Sequence, residues 1–134
     1  MEPIGRHYIV EASLCDPAVI GDVERMQAIV VEAANRARAK IWAISFHRFP
    51  PNGVSGVVVI SESHISVHTW PEVGYTALDI YTCGREAKPE DAVDFIVEAI
   101  GAEQVHVTEL SRGLSEGDNL FYHSIVTWEE DLSD

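Results

Sequence analysis

Residues 54–72 read Val54-Ser55-Gly56-Val57-Val58-Val59-Ile60-Ser61-Glu62-Ser63-His64-Ile65-Ser66-Val67-His68-Thr69-Trp70-Pro71-Glu72. The first seven are apolar on both faces of any strand they form, which places that strand centrally in a sheet. From Ser63 the pattern changes to strict alternation. His64, Ser66, His68 and Trp70 fall on one face, and Ile65, Val67 and Thr69 on the other. Two strands meeting at a short break near residue 62 make a hairpin, and the fold is read outward from it.

Further strands are expected at 6–14, 41–49, 75–82 and 104–110, the last two flanked by Gly-containing turns. Asp16-Pro17 opens a helix whose apolar residues Val19, Val23, Met26, Val30, Ala33 and Ala37 recur at steps of four and three. A second amphipathic helix runs from Pro89 to Ile100, and Gly101 ends it. The order β-α-β-β-β-β-α-β predicts an α+β protein: a two-layer α/β sandwich, with a largely antiparallel sheet and two helices on one face. The segment from Ser111 onward reads as a polar, loosely held tail. With 134 residues and no linker composition, a single domain over 1–134 is expected.

Charge and composition exclude some functions. The net charge is -13 and the nine Lys and Arg are scattered, so a nucleic-acid partner is not expected. An acidic field favours a cationic substrate. No apolar run has the length of a membrane helix and the start of the chain is no signal peptide, so a cytoplasmic protein without membrane contact is expected. Cys15 and Cys83 do not form a disulfide framework, and Cys15 reads as a small buried hydrophobe.

Reactive residue types are dense around the hairpin. On strand alternation, Asp79, Tyr81 and Cys83 share a face, as do His47 and Phe49. A Ser–His hydrolase pair lacks its Gly-x-Ser-x-Gly elbow at Ser63. His64 and His68 lie about 13 Å apart along a strand, too far to share one metal ion. From residue types alone, a hairpin with ordinary polar decoration stays open beside a catalytic reading.

Phe46-His47-Arg48-Phe49, residues 53–60, Ser61-Glu62-Ser63-His64, His68-Thr69-Trp70-Pro71-Glu72, Gly74-Tyr75, Thr82-Cys83-Gly84 and the early Gly5-Arg6-His7 together resemble the small prokaryotic S-adenosylmethionine decarboxylases. The resemblance spans about the first 110 residues. It implies a precursor that cuts itself between Glu62 and Ser63, giving a β chain of 1–62 and an α chain of 63–134. Ser63 would become a covalent pyruvoyl group that takes the substrate amine as a Schiff base. Ser55 and His68 match residues that assist processing, His68 by proton transfer, and Cys83 matches the proton donor of the decarboxylation. Phe49 and Trp70 match aromatic positions expected to sandwich adenine, and Glu72 the acceptor of the ribose hydroxyls. The implied reaction turns S-adenosylmethionine into the aminopropyl donor for polyamine (spermidine) synthesis, in a homodimer with sites between subunits, and with no metal. Arginine or ornithine as substrate, and an unprocessed regulatory relative, are the alternatives. His7, His47, His106 and His123 are expected to be structural or exposed, and His64 receives no role.

Overall fold

Gly21 ends one helix and Asp22 starts another. In the computed structural model, which describes residues 2–61, 63–84 and 87–133, the expected first helix is two: α1, Pro17–Ile20, and α2, Val23–Arg36. Gly21 caps α1, and the Asp22 carboxylate accepts from the Arg25 N–H at 3.1 Å, supplying one of the bonds a helix start lacks. The apolar stripe survives the break, because Val19, Met26, Val30 and Ala33 are all buried. The third helix, α3 (Pro89–Ala99), has Pro89 in its first turn with Glu90 and Asp91 beside it, where carboxylates suit the helix dipole. Gly101 follows at φ 69°, a conformation that favours glycine.

Among the described residues, seven strands form one sheet: β1 (Gly5–Ser13), β2 (Ile41–Phe49), β3 (Gly53–Ile60), β4 (Ser63–Trp70), β5 (Tyr75–Cys83), β6 (Gln104–Leu114) and β7 (Tyr122–Asp131). Their order across the sheet is β2-β3-β4-β5-β1-β6-β7, and every neighbouring pair is antiparallel. The helices pack on one face over Val10, Val58, Ile65, Val67 and Ile80, all fully buried. This is the expected α+β sandwich with one more strand and one more helix. Thr69 is a buried polar residue with both capacities used: its hydroxyl donates to the Ile20 carbonyl at 2.8 Å and accepts from the Val54 N–H at 3.0 Å, tying α1 to the sheet. Cys15 is buried as expected, and burial pushes its thiol pKa up.

The segment after Ser111 departs from expectation. β6 continues to Leu114, and the supposed loose tail returns as β7, with Val107 opposite Trp128 and Leu110 opposite Ile125. Ile125-Val126-Thr127-Trp128 is rich in β-formers, but an edge strand exposed on both faces shows no buried/exposed alternation to read. Among the described residues, no helix is long and apolar enough to cross a membrane.

Candidate functional site

The face of the sheet away from the helices carries most of the reactive side chains, while Ser63, in phase with Ile65 and Val67, alternates to the other side of β4. β4 and β5 alternate cleanly, so Ile65, Val67, Leu78 and Ile80 point to the core while His64, Ser66, His68, Trp70, Asp79, Tyr81 and Cys83 stand on the open side. Their register sets His64 opposite Tyr81, Ser66 opposite Asp79 and His68 opposite Ala77.

Three groupings of the expected residues emerge. Ser63, at the start of β4, is half-buried, and its hydroxyl accepts the Cys83 backbone N–H at 3.1 Å. Both residues line a cavity of about 360 Å³ together with Arg38, Lys40, Ser61 and Thr82. Ser55 and His68 face each other across β3 and β4, with Ser55 Oγ 2.7 Å from His68 Nδ1. Phe49 meets Trp70 edge to face at 5.9 Å, and Tyr75 already stacks on Trp70 at 5.0 Å. Within one chain, therefore, no slot for a ring opens between Phe49 and Trp70. Glu72 is exposed in the 3₁₀ turn Pro71–Val73 beyond them. Glu62, expected to precede the cut, lies outside the described residues.

These groupings stay apart. Along β4, His68 lies five positions and Trp70 seven positions beyond Ser63, or about 16 Å and 23 Å at a strand's rise. An imidazole reaches only a few ångströms from its own Cα, so His68 cannot touch the Ser63 hydroxyl of the same chain in this fold.

A fourth grouping was not foreseen. The Asp79 carboxylate accepts from His7 Nε2 at 2.7 Å and His64 Nε2 at 2.8 Å on one oxygen, and from the Ser66 hydroxyl on the other. Burial works to raise the Asp79 pKa, but these hydrogen bonds outweigh it and hold the carboxyl below the usual range. Arg112 Nη1 lies 3.3 Å from His7 Nδ1, on the side of the ring away from Asp79. Donor atoms of His7, His64 and Asp79 lie within 4.8 Å of one another, a spacing a divalent ion could bridge, but here the three satisfy each other. Tyr81 is packed by His7 at 5.4 Å and by Arg112 at 4.8 Å from its ring centre. Burial, then a hydrogen bond with Cys83, raise the pKa of its phenol. The cluster was legible in principle: the short turn after Trp70 sets the β4–β5 register, and that register puts Ser66 beside Asp79. His7 carried no such signal, because β1 reaches β5 only through a long-range pairing.

The sequence model of the family described as S-adenosylmethionine decarboxylase matches residues 6–113. S-adenosylmethionine decarboxylase proenzymes from Pyrococcus abyssi and Pyrococcus horikoshii are each 57% identical to this chain over 132 residues, covering 98% of it and 95% of the relative. The proenzyme of that name from Moorella thermoacetica is 47% identical over 116 residues, covering 87% of this chain and 93% of its own. Among solved structures, the adenosylmethionine decarboxylase of Aquifex aeolicus superposes with a TM-score of 0.82 at 29% identity, covering 90% of this chain and 99% of that one.

Proposed function

The chain belongs to the S-adenosylmethionine decarboxylase family and catalyses that decarboxylation, and from this premise we propose that it does so with a pyruvoyl group made from its own Ser63. The observation that carries the proposal is the meeting of Ser63 and Cys83 at one cavity, with the Ser63 hydroxyl held by the Cys83 N–H.

Processing follows from the residues in place. The Ser63 hydroxyl attacks the Glu62 carbonyl, and the peptide nitrogen leaves that carbon, so an amide becomes an ester. Loss of the Ser63 Cα proton then expels the Glu62 carboxylate and leaves a dehydroalanine. Water converts this to a ketone and ammonia leaves. The surroundings of Ser63 suit a small ketone: the cavity of about 360 Å³ is lined by the cationic Arg38 and Lys40 and by the hydroxyls of Ser61 and Thr82, beside Ile60. Once formed, the pyruvoyl group would supply an electron sink for the pair that departing carbon dioxide leaves on the substrate α-carbon. Cys83, on the open face, is the proton source for the α-carbon of the product. A thiol, with an ordinary pKa of about 8.5, is mostly protonated near neutral pH and serves as such an acid.

Ser55 and His68 form a hydrogen-bonded pair able to polarise a carbonyl and carry a proton. Their distance from Ser63 in the same chain supports a homodimer in which the pair, with Phe49, Trp70 and Glu72, serves the partner's Ser63. An open sheet face with Ile9, Val59 and Ile125 exposed offers the surface for it. The product is the aminopropyl donor for polyamine synthesis.

The test is release of labelled carbon dioxide from carboxyl-labelled S-adenosylmethionine, with arginine and ornithine run in parallel. Release from S-adenosylmethionine alone, abolished in Ser63→Ala, is the expected result. Release from arginine or ornithine instead would overturn the substrate, and undiminished activity in Ser63→Ala would overturn the chemistry.

A further inference from the structure

Asp79 takes part in none of the steps above, yet its carboxylate accepts three side-chain hydrogen bonds on the open face. It collects His7 from β1 on one side and His64 and Ser66 from β4 on the other. His64 is the residue joined directly to Ser63. Strand alternation sends the Ser63 and His64 side chains to opposite sides of β4. Each is fastened to β5: Ser63 through the Cys83 N–H, His64 through Asp79. The peptide unit between residues 63 and 64 is therefore held from both ends against a single neighbouring strand.

We propose that Asp79, acting through the His64 imidazole, is a positioning residue that fixes the plane of the peptide joining residues 63 and 64 for self-processing. The inference rests on the reading of Ser63 as the processed residue. The elimination step removes the Ser63 Cα proton to a base. The electron pair left behind forms the Cα–Cβ double bond as the ester oxygen departs with Glu62. That proton is acidic because the pair delocalises into the Ser63 carbonyl, and delocalisation requires the C–H bond to stand perpendicular to the carbonyl plane. A peptide free to rotate presents the wrong angle most of the time, whereas one clamped at His64 keeps the aligned geometry. Asn at position 79 keeps the size but not the acceptor capacity, since one of its two ends is an N–H₂ group facing donors.

The experiment follows processing of freshly made precursor of the wild type, Asp79→Asn, His64→Ala, the double variant and His7→Gln, by intact mass with and without hydroxylamine. Hydroxylamine cleaves the ester and leaves an unmodified serine at the new terminus. Asp79→Asn should process about ten-fold more slowly or worse, with hydroxylamine-sensitive ester accumulating because attack still occurs and elimination stalls. The double variant should be no slower than His64→Ala alone, and His7→Gln should process at close to the wild-type rate. Should Asp79→Asn fail to fold, His64→Ala carries the same test of ester accumulation. Wild-type processing in Asp79→Asn, additive losses in the double variant, an equal defect in His7→Gln, or slow processing without ester would each overturn the inference. A wild type that never cuts would instead overturn the reading of Ser63 on which it rests.

Discussion

Cys83 and Ser63 meet through a backbone N–H, so the thiol itself is not needed to hold the Ser63 hydroxyl. Cys83→Ala should therefore still cut into two chains while losing decarboxylation by about 10²- to 10⁴-fold, the usual worth of a positioned acid. Loss of cutting, read on a denaturing gel, would show that the thiol serves processing instead. Asp79 makes a separate prediction about stability. Its carboxyl is more acidic folded than unfolded, so the folded state binds fewer protons there. The stabilisation it gives is complete above the ordinary value of 3.8 and is lost as pH falls through the lower folded value. Denaturant midpoints of the wild type and Asp79→Asn should thus converge as pH drops below that value, and a constant gap would contradict the assignment. At this scale alternation alone read which face each strand residue takes, as for His68 on β4 and Cys83 on β5. It was silent on His7, whose partner lies 72 positions away.

Among the elements, the β3–β4 hairpin was readable because its residues satisfy one pattern each: continuous apolar residues in a central strand, then alternation. Gly56 shows how closely the hairpin is built against β2. It lies opposite Phe46, and any Cβ there would fall 2.1 Å from the Phe46 ring. Gly56→Ala should force that ring aside and cost about 1–3 kcal/mol, measurable as a lower denaturation midpoint. An unchanged midpoint would mean the ring yields freely. The split of the first helix was harder to read, because Val19 to Ala37 keep one apolar stripe through the break. Only the capping pair Gly21-Asp22 signals it. β7 escaped for the opposite reason: it has strand-forming residues but no buried face, so nothing distinguished it from an exposed tail.

The whole molecule is a sheet covered on one side only, with its expected processing dyad about 16 Å from the bond that dyad would help break. Two copies related by a two-fold axis resolve both facts, since each would lend the other what its own chain holds out of reach. Ser63→Ala and His68→Ala chains should each stay uncut alone. When the two are made together, the His68→Ala chain should be cut, using His68 of its partner, and the Ser63→Ala chain should not. Failure of the mixture to cut either chain would place both groups in one protomer's site and demand a rearrangement of β4. Only the family resemblance implies a site between subunits, because a single chain's pattern holds no record of which surface meets a copy.

Conversion of Ser63 is the claim on which the rest depends, and intact mass spectrometry of the purified chain reads it directly. The account predicts two species under denaturing conditions, one ending at Glu62 and one beginning at position 63. The second should weigh about 17 mass units less than a serine terminus would give, the mass of the ammonia lost overall when the serine becomes a pyruvoyl group, and should react with a carbonyl reagent. A single species of all 134 residues, persisting after prolonged incubation, would contradict it.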